Sequence, residues 1–131
     1  MFVLDTNVLI EVEKHNKSVI CFLQGLTSRY PSKPYITAPT YSEFLYGFLK
    51  HSSKKEEQAK QFLEVYEILH TTKNSSYLLA KLKLDLEKHG KAIPIFDLFI
   101  ASIVLDKKAT FITMDSHFKN IKDLDVMIVE N

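Results

Sequence analysis

Cysteine and arginine are nearly absent from this 131-residue chain, with one of each, Cys21 and Arg29. A single cysteine excludes an intramolecular disulfide and any zinc site built on several thiolates. Cys21 sits in the apolar run Val19-Ile20-Cys21-Phe22-Leu23, so a buried, inert thiol is expected there. An excess of charge is missing too. Seventeen Lys and Arg nearly cancel sixteen Asp and Glu, leaving a formal net charge of +1. The whole-chain basic excess common in nucleic-acid binders is therefore lacking, and any such affinity must come from local lysines or bound metal. There is no repeat, no low-complexity tract and no long linker. Met1-Phe2-Val3-Leu4-Asp5 has neither the basic region nor the long apolar run of a signal peptide. The longest apolar stretch, residues 93–105, is too short to span a bilayer and carries Asp97. A cytoplasmic protein without a membrane anchor is expected. Hydrophobic residues make up 46% of the chain, enough for a packed core. The length fits one domain over residues 1–131.

What is present alternates between strand-like and helix-like segments. Phe2-Val3-Leu4 reads as a buried strand, followed by a helix over 6–13 capped by Thr6-Asn7. A helix is expected over 17–27, a strand over 35–38, and a helix opened by Thr40-Tyr41-Ser42-Glu43 in the manner of a capping box. Residues 56–69 read as one amphipathic helix, with Ala59, Phe62, Leu63, Tyr66 and Leu69 on one face. Another helix covers 75–88 and stops at His89-Gly90. The segment 94–105 is apolar on nearly every side and is expected to be central. Strands are expected over 110–113 and 126–129, with a short helical turn between them. The alternation predicts an α/β fold of three layers, with a mainly parallel sheet of four to five strands flanked by helices.

Four carboxylates then fall in meaningful places. Asp5 follows the first strand, Glu43 opens the helix after the second, and Asp115 follows the strand at 110–113. In such folds ligands bind beyond the carboxyl ends of the strands. Asp97 is the only charged residue between Ala92 and Leu105, and a carboxylate in such surroundings is costly unless paired, hydrogen-bonded or cation-bound. Local roles account for each acid as well: a cap for Asp5, a capping box for Glu43, a helix-dipole partner for Asp97, a turn for Asp115. What separates the readings is convergence. Carboxylates gathered at one point repel, and Mg²⁺ or Mn²⁺, with their preference for oxygen, relieve that repulsion.

In order and spacing the chain resembles the PIN-domain nucleases. The resemblance is carried by Leu4-Asp5-Thr6-Asn7-Val8-Leu9-Ile10, by Ser42-Glu43-Phe44-Leu45-Tyr46-Gly47, by Ile93-Pro94-Ile95-Phe96-Asp97-Leu98-Phe99-Ile100-Ala101-Ser102, and by Ala109-Thr110-Phe111-Ile112-Thr113-Met114-Asp115-Ser116-His117-Phe118. Within that family the short chain is most similar to the VapC-type toxins of toxin–antitoxin pairs. The resemblance implies acidic metal ligands at Asp5, Glu43, Asp97 and Asp115, an RNA substrate cut with Mg²⁺ or Mn²⁺, a homodimer, and a protein antitoxin. A PIN nuclease of RNA processing or decay, or a PIN domain that only binds, fits the same motifs. A magnesium-binding receiver domain fits poorly, since such domains present paired acids after their first strand, where this chain has Asp5-Thr6-Asn7. Thr6, Asn7 and Thr113 are near enough in sequence to orient a ligand or phosphate. Where many members carry a further acid before the phenylalanine, this chain has His117. A metal ligand, a phosphate contact and an exposed structural residue are all open for it. Lys50, Lys54, Lys55, Lys88, Lys91, Lys107 and Lys108 are candidate phosphate contacts.

Overall fold

In a computed structural model, which describes residues 1–130, the chain forms a five-stranded parallel sheet between two layers of helices. The strands are β1 (Phe2–Leu4), β2 (Tyr35–Thr37), β3 (Glu67–Leu69), β4 (Thr110–Thr113) and β5 (Asp125–Ile128). The helices are α1 (Thr6–Glu13), α2 (Lys17–Arg29), α3 (Ala38–His51), α4 (Glu56–Leu63), α5 (Lys73–Lys88) and α6 (Ile95–Asp106). Short 3₁₀ turns cover Ser53–Lys55 and Ser116–Asn120. Among the described residues, no helix is long and apolar enough to cross a membrane.

β1 is central because all three of its residues are apolar and buried, the pattern of a strand covered on both faces. Its side chains alternate. Val3 enters the core beneath α5 and α6 with Leu82, Leu98, Ile103 and Phe111. Phe2 and Leu4 enter the opposite core with Leu9 of α1, Val19 of α2, Phe44 of α3 and Leu63 of α4. The strand order is β3-β2-β1-β4-β5, every pair parallel. The chain therefore winds outward from β1 in one direction, then restarts on its other side with β4, where Leu4 lies against Ile112. A crevice opens at such a switch point, beyond the carboxyl ends of β1 and β4.

Four local expectations are corrected. Residues 56–69 do not form one helix. α4 stops at Leu63, and Glu67–Leu69 becomes edge strand β3, paired with Tyr35–Thr37. The helix carrying Glu43 begins at Ala38 rather than Thr40, because the Thr37 side chain caps it by accepting from the Thr40 N–H at 3.2 Å. The first helix is capped by Asp5, not by Thr6 or Asn7. Cys21 is exposed. α2 lies on the surface and buries only Val19 and Leu26, so the apolar run around Cys21 turns part of itself outward. α6 is buried along most of its length, yet its first turns leave Ile95, Phe96 and Phe99 exposed.

Candidate active site

Asp5 is the first residue after β1, and its backbone is still held by the sheet through an N–H donated to the Ile112 carbonyl at 2.9 Å. Its side chain is buried, with 5% of the residue exposed, and both oxygens are engaged. Oδ1 accepts from the Thr6 N–H at 2.8 Å, and Oδ2 accepts from the Thr113 hydroxyl at 2.6 Å. Thr113 ends β4, so this bond joins the two strands at the switch point. Its oxygen also accepts from the Asp115 N–H at 3.1 Å and from Asn7 Nδ2 at 3.5 Å, while Asn7 Oδ1 accepts from the Met114 N–H at 3.2 Å. Asn7 and Thr113 thus splint Asp5 to the segment that carries Asp115.

Glu43 lies on the second turn of α3. Its Oε1 accepts from the Thr6 hydroxyl at 2.7 Å. The single residue Thr6 therefore donates its N–H to Asp5 and its hydroxyl to Glu43. Asp97, on the first turn of α6, benefits from the partial positive charge of that helix end. Asp115 caps the turn that follows β4, its Oδ1 accepting the His117 N–H at 3.1 Å. The His117 ring stands between the two outer acids, with Nε2 3.2 Å from Asp97 Oδ2 and Nδ1 2.7 Å from Asp115 Oδ1. It stacks on Phe118 at a centroid distance of 4.7 Å, and Phe118 is packed edge-on against Phe111 of β4.

The electrostatics join these acids into one site. Burial pushes the Asp5 carboxyl up to about 6, against the Thr113 and Thr6 hydrogen bonds that oppose the rise, and the charges of Asp97 and Glu43 push it further. Glu43 is raised by burial and by Asp97, with Thr6 opposing. Asp97 is raised by burial and by Asp115, with His117 opposing. The predicted acids therefore share one environment. They are not drawn into a closed ligand shell, however. Among the described residues, no group of three or more acid, His or Cys side chains is arranged to hold a metal ion as it stands. What the site offers is an all-oxygen carboxylate donor set in a partly buried crevice, the chemistry that suits a hard divalent cation. The carboxyls are raised chiefly by burial and further by one another, and a bound cation would offset that buried negative charge.

The sequence and the fold have known counterparts. Residues 2–124 match the PIN domain family. The chain belongs to that family. Over its whole length this PIN domain is 29% identical to Ribonuclease VapC2 of Rickettsia felis, covering 97% of that protein. Its fold superposes on VapBC2 of Rickettsia felis, solved with a DNA fragment from its promoter, with a TM-score of 0.84 at 28% identity, covering 98% of each chain. It also superposes on VapBC-1 of nontypeable Haemophilus influenzae, with a TM-score of 0.82 at 26% identity, covering 97% of this chain and 96% of that one.

Sequence reasoning named every side chain that the hydrogen-bond network joins to the acids. It did not foresee the division of labour among them. Thr113 is fully buried and its hydroxyl serves Asp5, and Thr6 is a clamp between Asp5 and Glu43. No spacing rule announces such a clamp, because Thr6 and Glu43 are 37 residues apart in sequence.

Proposed function

We propose that this chain is a divalent-cation-dependent endoribonuclease, the toxin of a type II toxin–antitoxin pair. The observation that carries the reading is the convergence of Asp5, Glu43, Asp97 and Asp115 on the crevice at the β1/β4 switch point, with Asp5, Glu43 and Asp97 all raised. Full-length likeness to a protein named a ribonuclease supports RNA as the substrate, and likeness to two VapBC structures supports a protein antitoxin as partner.

Asp5 and Asp97 are the principal candidates to hold Mg²⁺ or Mn²⁺, with Glu43 and Asp115 as further ligands or water-positioning groups. When bound, the cation supplies Lewis-acid activation of water and offsets charge on the phosphodiester. The protein's own part is positioning. Thr113 and the Thr6 N–H hold both oxygens of Asp5, so that carboxylate cannot swing. Thr6 fixes Glu43 through Oε1, which leaves Oε2 as the atom to orient water or accept its proton, and burial, which raises the Glu43 carboxyl, makes it a better proton acceptor than a free carboxylate. His117 keeps Asp97 and Asp115 in register. Water then attacks the phosphorus in line, the P–O bond to the leaving oxygen breaks, and no side chain forms a covalent intermediate.

Ile95, Phe96 and Phe99 form an exposed apolar patch beside Asp97 and support a homodimer through that end of α6. A cytoplasmic location follows from an RNA substrate. The deciding experiment is cleavage of total RNA by purified protein with Mn²⁺, with EDTA, and with Asp97→Asn. Discrete fragments that vanish with EDTA and with the variant are expected. Full activity in Asp97→Asn would sink the assignment. Growth arrest on expression, rescued by the product of a neighbouring gene, separates a toxin from a processing nuclease.

A further inference from the structure

The His117 ring is held on three sides. Nδ1 lies 2.7 Å from Asp115 Oδ1, and Nε2 lies 3.2 Å from Asp97 Oδ2. One face stacks on Phe118, with the ring planes 29° apart. Phe118 is buried and packed edge-on against Phe111, so it gives the imidazole a firm backing. The main chain adds a fourth hold, because Asp115 Oδ1 also accepts the His117 N–H at 3.1 Å. An exposed histidine without a task has none of these restraints.

A histidine so placed is either a ligand of the cation or a strut between the acids. A ligand keeps one nitrogen for the metal and aims it where neighbouring ligands also point. Here the two nitrogens look away from each other across the ring, each at a different acid. Among the described residues, no three acid, His or Cys side chains are arranged to hold a metal ion, so His117, Asp97 and Asp115 do not meet at a common point. A cation shared by Asp97 and Asp115 would have to take the ring off both carboxylates and off Phe118. The charges divide along the same line. Asp97 raises both Asp5 and Glu43, whereas Asp115 raises Asp97. Asp5, Glu43 and Asp97 thus form one cluster, and the imidazole stands between that cluster and Asp115.

We propose that His117 is a strut that closes the outer half of the site to metal, so that the chain holds a single divalent cation on Asp5, Glu43 and Asp97. The ring takes Asp97 Oδ2 and leaves Oδ1 for the cation, as Thr6 takes Glu43 Oε1 and leaves Oε2. Asp115 lies outside the ligand set: it holds the ring, and the ring holds Asp97. His117 is therefore a positioning residue. The inference rests on the cation-dependent reading above and narrows its four candidate ligands to three. With one ion, the clamp that paired ions place on the attacking and leaving oxygens is not available.

The test counts Mn²⁺ on the full chain by the EPR signal of the free ion during titration, and reads nitrogen coupling to the bound ion by pulsed EPR. The unaltered chain is expected to take one equivalent, with no imidazole nitrogen bonded to it. His117→Asp removes the ring and adds a carboxylate, and is expected to take two. His117→Ala opens the same space without adding charge, and is expected to take a second equivalent more weakly than the first. A second equivalent in either variant supports the strut, since a histidine that only shapes the fold would not change the count. A second equivalent on the unaltered chain, a nitrogen bonded to its ion, or a single equivalent in both variants would overturn the inference and leave the cation-dependent reading standing. No Mn²⁺ on the unaltered chain would overturn both.

Discussion

The inner and outer acids of the site are held in different ways. Asp5 and Glu43 are fixed by neutral hydroxyls, Thr113 and Thr6, at 2.6 and 2.7 Å. Asp97 and Asp115 share an imidazole, His117, at 3.2 and 2.7 Å. A neutral donor fixes a carboxylate's position while leaving its charge in place. An imidazole that can take up a proton holds position and can also supply countercharge. Depth divides them differently: Asp5 alone is buried, whereas Glu43, Asp97 and Asp115 are all partly exposed. Asp5 is therefore where a divalent cation has most buried charge to offset, and Asp97 is partly provided for by His117.

The strongest way to break this comparison is to remove one inner charge. Glu43→Gln keeps the shape and the Thr6 contact but cannot accept a proton. RNA cleavage should fall by roughly a hundredfold to ten-thousandfold. A loss no larger than that of His117→Ala, measured beside it, would erase the distinction.

The second test is stability without metal. Because the folded Asp5 carboxyl sits near 6 rather than 3.8, the folded state holds that proton more tightly than the unfolded chain. Its contribution is fully present below about pH 3.8 and is lost as the pH rises through about 6. Denaturant unfolding in EDTA should therefore show the Asp5 contribution growing as the pH falls from 7 toward 4, by roughly 2–3 kcal/mol in all. Asp5→Asn should remove this dependence and should be the more stable protein at pH 7. Equal pH profiles for the two proteins would refute the burial argument.

The third sharpens the role of the neutral clamps. Thr113→Val keeps the volume and deletes the donor to Asp5. By isothermal titration, Mn²⁺ affinity should drop by roughly tenfold to a hundredfold. His117→Ala should change it by less than Thr113→Val does.

The smallest effect lies outside the site and serves as its control. Asp106, at the end of α6, accepts from Asn74 Nδ2 at 2.7 Å and the Thr72 hydroxyl at 2.8 Å, which lowers its carboxyl. Its stabilisation is present above the usual carboxylate range and is lost as the pH falls through the lowered value. The group is well solvated, so Asp106→Asn should cost a few tenths of a kcal/mol and leave cleavage unchanged.

Much of this was legible in the sequence, for identifiable reasons. β1, β4 and α6 read correctly because burial on both sides demands unbroken apolar runs. Asp97 stood out because it interrupts one of them. β3 was not legible, since Phe62, Leu63, Tyr66 and Leu69 keep helical spacing across the place where α4 ends. The edge strand exists through its pairing with β2, a contact that periodicity does not register. Glu43 was misread locally for a related reason. The Thr-x-x-Glu pattern matched a helix start, but Thr37 had already capped the helix. Freed from that task, Glu43 turns to Thr6 and the site.

The sheet order also governs when the site comes into being. β1 lies at the centre, yet its partner β4 begins at Thr110, and Asp5 is gripped by Thr113. A chain emerging from the ribosome carries Asp5 and Glu43 long before Thr113, which locks Asp5, and Asp115, which completes the crevice. Until those last residues leave the tunnel, β1 lacks one neighbour and Asp5 lacks its buried donor. On the proposed function, the cutting centre is thus withheld from the nascent chain until β4 and the segment carrying Asp115 have emerged.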